Sequence, residues 1–225
     1  MRLQTLRRSS GIAATVLALS LGLAACGGDD DSGDDGNAAD TSSETSSEDT
    51  GSDDAGDADP AAQTFGEGCS LIPTSGEGSF TGMVQDPVAT AAGTNPVLKT
   101  LTAAVGAVEG LADNLNGAEG LTVFAPADPA FAEIPEADLN ALIQGAAKDG
   151  MESDLATVLG YHVVEGQLDP ASVVGEHPTL QGGTVTVEGD ESGMTVNGAN
   201  VVCGNIPTAN ATVYVIDQVL MPPAA

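Results

Sequence analysis

LTVFAPADPAFAEIP, residues 121–135, holds two kinds of backbone in one short run. Leu121 to Ala125 is rich in β-formers and reads as a short strand. Pro126 breaks it, because proline brings no amide hydrogen to a ladder. Asp128-Pro129 then opens a short helix carrying Phe131 and Ile134, proline being tolerated in a first helical turn. A second helix is expected from about Glu136 to Gln144 on Leu139, Leu142 and Ile143, and a third from Met151 to Leu159. The third leads into a strand, YHVV at 161–164, and the turn Glu165-Gly166.

Upstream, Asn95-Pro96 reads as an N-cap with proline at the first helical position. Leu98, Leu101, Val105, Val108, Ala112 and Leu115 follow at steps of three and four, which predicts one helix stopped by Asn116-Gly117. Downstream the period changes. TVTVE (184–188), MTVNGANVV (194–202) and ATVYVIDQVL (211–220) alternate apolar and polar residues. Asn197-Gly198 is the strongest hairpin signal, because a type I′ turn needs positive φ at both central positions. Helices crowd the first half and antiparallel strands the second, an α+β pattern. With no Trp, two Tyr and four Phe, the core must be Val, Leu, Ile and Ala.

Three blocks of this pattern resemble the fasciclin (FAS1) domain family. LTVFAPADPAFAEIP (121–135) resembles its first block, LGYHVVEGQL (159–168) its Tyr-His block, and NATVYVIDQVLMP (210–222) its closing block. The stretch around Cys203 is similar to the mycobacterial secreted and lipid-anchored fasciclin antigens. The resemblance implies a single wedge-shaped domain, a β-sheet packed on several short helices. It implies adhesion or extracellular binding of a protein or glycan, without catalysis and with no cofactor. It supplies no partner, since one fold serves many functions.

The N-terminus adds an address. MRLQTLRR carries all three arginines and precedes a thirteen-residue apolar run, Gly11 to Leu23. That is the layout of an export signal, and the run is shorter than the roughly 20 residues a spanning helix needs. Leu23-Ala24-Ala25-Cys26 resembles a bacterial lipobox, so residues 1–25 are expected to be a lipoprotein signal and Cys26 the lipid attachment point. The expected location is the outer face of the cell membrane. From Cys26 to Thr64 the chain is almost only Asp, Glu, Ser, Thr, Gly and Ala, which cannot bury enough apolar surface to fold. It is expected to be a disordered acidic tether, spanning roughly 35 Å as a neutral coil. An EF-hand register starting at Asp31 fails at its third and twelfth positions, so the tether is not read as a calcium loop. Residues 65–225 form the domain.

Removal of the signal leaves Lys99 and Lys148 as the only basic side chains against 33 acids. Thirteen of those acids lie between Asp29 and Asp59, and the domain itself stays strongly negative. Nucleic acid is excluded as a partner, and so is electrostatic docking on anionic lipid. Self-repulsion favours a monomer. In an exported chain the two domain cysteines, Cys69 and Cys203, are expected to be paired.

His162 is the residue most open to a catalytic reading. It follows Tyr161 in the expected strand, with no Gly-x-Ser-x-Gly elbow in the chain. The other histidine, His177, lies fifteen residues away in Gly175-Glu176-His177-Pro178, which reads as a loop, so no metal site is expected. The residue-level reading is a half-buried imidazole that holds the helix-to-strand junction through hydrogen bonds. The family resemblance adds contact with a partner as a second role for Tyr161 and His162. Asp217, an acid inside VYVIDQVL, is expected to accept hydrogen bonds from amides or a neighbouring side chain. Asn210 is expected to cap a turn. The rival reading is a lipoprotein that captures a small ligand, which a large closed apolar cavity would favour. A flat or grooved surface near the Tyr-His block would favour adhesion.

Overall fold

The computed structural model describes residues 59–223. The signal segment, Cys26 and nearly all of the acidic tether lie outside the described residues. Within them, helices α1 (Phe80–Met83), α2 (Val88–Thr94), α3 (Lys99–Ala107) and α4 (Leu111–Gly117) precede strand β1 (Leu121–Pro126). Helices α5 (Asp128–Phe131), α6 (Glu136–Asp149) and α7 (Asp154–Tyr161) follow. The chain then runs through β2 (Val163–Glu165), β3 (Gly175–Pro178), β4 (Thr184–Glu188), β5 (Thr195–Val196), β6 (Ala199–Pro207) and β7 (Ala211–Ile216).

The seven strands form one sheet in the order β2-β1-β7-β6-β5-β4-β3. Only β1 and β7 run parallel, in register from Leu121 opposite Ala211 to Pro126 opposite Ile216. The other pairs are antiparallel. The sheet curls until its ends meet: Val164 of β2 bridges Thr179, and Leu180 N donates to the Val163 carbonyl at 2.8 Å. One side of the sheet packs on the helices and the other fills the curl. Period two sorts side chains between these cores. In β7, Ala211, Val213 and Val215 join the helix side, while Tyr214 and Ile216 point into the curl. The strand is thus buried on both faces, where simple alternation implied a solvated side.

Most expected elements are present, with several differences, among them a helix from Glu136 that runs on past Gln144 to Asp149 and a next helix that starts at Asp154 and not at Met151. The single helix expected from Pro96 to Leu115 is two, because Val108 is extended and Gly110 is left-handed at φ 80°. Of the expected set Leu98, Leu101, Val108 and Leu115 are buried, while Val105 and Ala112 are only half-buried; Ala104 and Leu111 complete the buried face across the break. The segment Gly175–Pro178, expected as a loop, is an edge strand paired with β4. The helix expected to end at Leu159 continues to Tyr161, so the strand after it starts only at Val163. Finally, Pro60–Gln63 form a 3-10 turn before the expected domain start at Phe65, held by Asn205 Nδ2 donating to the Gln63 carbonyl at 2.9 Å. The Asn197-Gly198 turn has positive φ at both residues, 48° and 87°.

The N-terminal entry is pinned to β6. Phe65 and Gly204 exchange backbone hydrogen bonds at 3.3 and 2.8 Å. The Phe65 ring lies across Gly204, where any side chain would collide with it. Beside this contact a disulfide joins Cys69 to Cys203.

Candidate functional site

The Tyr161-His162 junction sits where α7 hands over to β2. Ser153 starts α7, its Oγ accepting from Ala156 N at 3.2 Å. The helix ends at Tyr161, and His162 is its C-cap at φ −87° and ψ 0°. His162 therefore lies in the helical cap and not in the strand. That geometry turns the ring inward. Nδ1 is 2.7 Å from the Val158 carbonyl, and Nε2 accepts from Leu220 N at 2.9 Å. A carbonyl on one side and an amide on the other fix the neutral tautomer with the proton on Nδ1. The side chain is 2% exposed. Burial drives its pKa down to about 4, outweighing the opposing effect of the Val158 hydrogen bond. The ring is neutral at pH 7, and it clasps α7 to the chain leaving β7.

Tyr161 is equally buried and points to the other end of the sheet. Its hydroxyl donates to the Thr184 carbonyl at 2.8 Å and accepts from Asn197 Nδ2 at 2.9 Å. Direct contact with a partner needs exposed side chains, and both Tyr161 and His162 are 2% exposed. Asn197 meanwhile uses Oδ1 to accept from Thr186 N at 2.8 Å. One side chain thus ties the hairpin turn to β4 and to Tyr161.

Asp217 and Asn210 are each joined to other elements. Asp217 accepts from Asn200 N at 2.8 Å and from Asn200 Nδ2 at 2.7 Å. Asn210 accepts from Val88 N at 2.8 Å and donates to the carbonyls of Leu115 and Ala118 at 2.8 and 2.9 Å. It caps the start of α2 and the end of α4 together, a wider role than the turn its sequence context suggests. Two more long-range caps escaped sequence reasoning. Asn116 Oδ1 accepts from Ala89 N at 2.9 Å, and Asp128 Oδ1 accepts from Thr100 N at 2.7 Å. Asn95, expected to cap that last helix, is buried and bonds Val97 N at 3.1 Å. The only sequence signal for Asn116 and Asp128 is their chemistry beside helix ends.

His177 Nε2 lies 2.8 Å from the Val173 carbonyl on the far edge of the sheet. Among the described residues no group of three or more His, Cys, Asp or Glu is arranged to hold a metal. No helix among them is long and apolar enough to cross a membrane. Of several concavities among the described residues, two are lined chiefly by apolar side chains or open widely enough to matter for binding. An apolar pocket of about 180 Å³ lies between α2, α3, α4 and the β1–β2 end of the sheet, with His162 on its wall. A wider groove of about 740 Å³ runs between the Phe65–Leu71 entry, Asp128-Pro129, Glu191–Met194 and Asp217.

A sequence model of the Fasciclin domain matches residues 96–222, which span the β1 block, the Tyr161-His162 junction and the β7 block. The chain belongs to the fasciclin domain family. The chain is 48% identical over 174 residues to the cell surface glycolipoprotein MPB83 of Mycobacterium bovis, covering 74% of this chain and 76% of that protein. It is 46% identical over 171 residues to the immunogenic protein MPB70 of the same species, covering 73% of this chain and 85% of that one. A cyanobacterial protein, sll1483 of Synechocystis, is 37% identical over 130 residues, covering 57% of this chain and 69% of its own. Among solved structures, a FAS1 domain pair from the insect cell adhesion molecule fasciclin I superposes with a TM-score of 0.51 at 18% identity. That match covers 62% of this chain and 52% of the two-domain chain, and it carries the fold alone. Within this family the Tyr-His block of the present chain is a buried, fully hydrogen-bonded junction.

Proposed function

We propose that this chain is an exported cell-envelope protein, held to the outer face of the membrane by lipid on Cys26, whose fasciclin domain binds a protein or glycan without catalysis. The observation that carries the reading is the 48% likeness, across 74% of the chain, to a protein named a cell surface glycolipoprotein. The lipobox-like Leu23–Cys26 and the acidic stretch after it agree with such an anchor and spacer. Two acyl chains on one cysteine suffice for stable attachment. The chemistry of the domain favours recognition over turnover. His162 has both ring nitrogens engaged, and every buried side-chain polar atom among the described residues has a hydrogen-bond partner. A general base needs a free lone pair aimed at substrate.

The surface offers a place for such recognition. The wide groove beside the disulfide has Leu71, 68% exposed, at its rim. Capture of a whole small metabolite ranks second. The apolar pocket, at about 180 Å³, falls below the 300–1,000 Å³ of ordinary ligand pockets. Cells carrying the native chain should adhere to immobilised extracellular protein or glycan more than cells carrying the Cys26→Ala chain. Equal adhesion by the two would overturn the reading.

A further inference from the structure

The pocket under α3 and α4 has a composition that selects its occupant. Its walls are hydrocarbon: Val88, Leu101, Val105, Leu115, Phe124 and Val163 are among them. Only Thr102 and His162 bring polar side-chain atoms, and neither has a proton to spare. Thr102 Oγ1 donates to the Leu98 carbonyl at 2.9 Å, and the imidazole is bonded at both nitrogens. No charged side chain lines the space. Water entering it would find only the Thr102 hydroxyl oxygen to donate to, short of the roughly two to four partners it needs, and apolar cavities of about 150 Å³ stay dry and accept benzene or xenon.

Small residues create the space. Ala89, Ala112 and Gly106 lie where three helices converge, and a Cβ on Gly106 would meet no atom within 4 Å. The pocket is not sealed, because Gly106 and the half-exposed Leu180 stand at its rim. An apolar molecule can therefore enter from outside. An anionic one gains nothing: the wall holds no cation, and the chain has 33 acids against 5 basic residues.

We propose that this pocket takes the end of one alkyl chain of an uncharged lipid, with the headgroup left in solvent. By the benzene precedent, the buried part is on the order of six carbons. This goes beyond the adhesion reading and does not depend on it.

The test is a titration of the isotope-labelled full chain, followed by NMR, with monooctanoylglycerol, octanoate and glycerol. The ester should give saturable shifts at Leu101, Val105 and Leu115. Octanoate should bind at least tenfold more weakly at pH 7.5, and glycerol should shift nothing. Gly106→Leu and Ala112→Leu fill the space from two different helices, so each should weaken ester binding at least tenfold while keeping the wild-type melting temperature. Xenon pressure on the wild-type chain needs no variant, and it should perturb the same three residues. The proposal is overturned by octanoate binding as tightly as the ester, by xenon leaving those residues unmoved, or by folded pocket-filling variants that bind like wild type.

Discussion

At the scale of single residues, His162 shows how a histidine can look catalytic and act as a clasp. Its Nε2 must stay unprotonated to accept from Leu220 N. A proton there would set two donors face to face inside the core. The folded pKa, about 4, lies below the unfolded value near 6.5. Above pH 6.5 both states hold the ring neutral and the shift contributes nothing. As pH falls from 6.5 to 4 the unfolded state gains a proton that the native state refuses, so stability drops, by about 3 kcal/mol in all. Urea unfolding at pH 7 and pH 4 should show that loss in wild type. It should be largely absent in His162→Gln, whose amide does not titrate in this range. His162→Ala should destabilise by about 1–3 kcal/mol at pH 7, because Leu220 N and the Val158 carbonyl lose a buried partner. A wild-type melting curve for His162→Ala would mean the clasp does not hold the fold.

At the scale of elements, short helices here borrow their caps from distant segments. Pro87 precedes α2 and offers no side-chain cap, so Asn210 and Asn116 receive the first amides. Asn210→Ala frees one helix start and one helix end at once, and should cost roughly 2–4 kcal/mol. Asp128→Ala frees only Thr100 N and should cost about 1 kcal/mol. Denaturant midpoints at constant slope measure both, and equal costs would refute the double cap. These caps also mark the limit of what is legible in the sequence. The β1 strand, the Asn197-Gly198 turn and the β7 strand were readable because each depends on neighbouring residues. The break at Val108–Gly110 was not, because the buried spacing continues through it. The β3 strand was not, because Gly-Glu-His-Pro lacks β-formers and owes its shape to pairing with β4. At the site, the hydrogen bonding of His162 was legible, but its depth was not. The partner of its Nε2 is the amide of Leu220, 58 residues away.

At the scale of the whole molecule, the disulfide joins segments 134 residues apart. In the chain-entropy model it restricts the unfolded state by about 4–5 kcal/mol. Cys69→Ser with Cys203→Ser should lose stability of that order in urea unfolding, and a loss under 1 kcal/mol would show that the Phe65–Gly204 contact alone anchors the entry. The remaining question is how this acidic domain is held at the cell envelope. Its charge offers anionic lipid no attraction, and we propose that attachment falls to lipid on Cys26. Detergent phase partitioning of the native chain beside Cys26→Ala, with intact mass of each, tests this directly. The account predicts a native chain in the detergent phase, starting at Cys26 and heavier by a diacylglyceryl group, and a variant that is aqueous or retains its signal. A native chain without added lipid mass, or a Cys26→Ala chain processed and still membrane-bound, would contradict it.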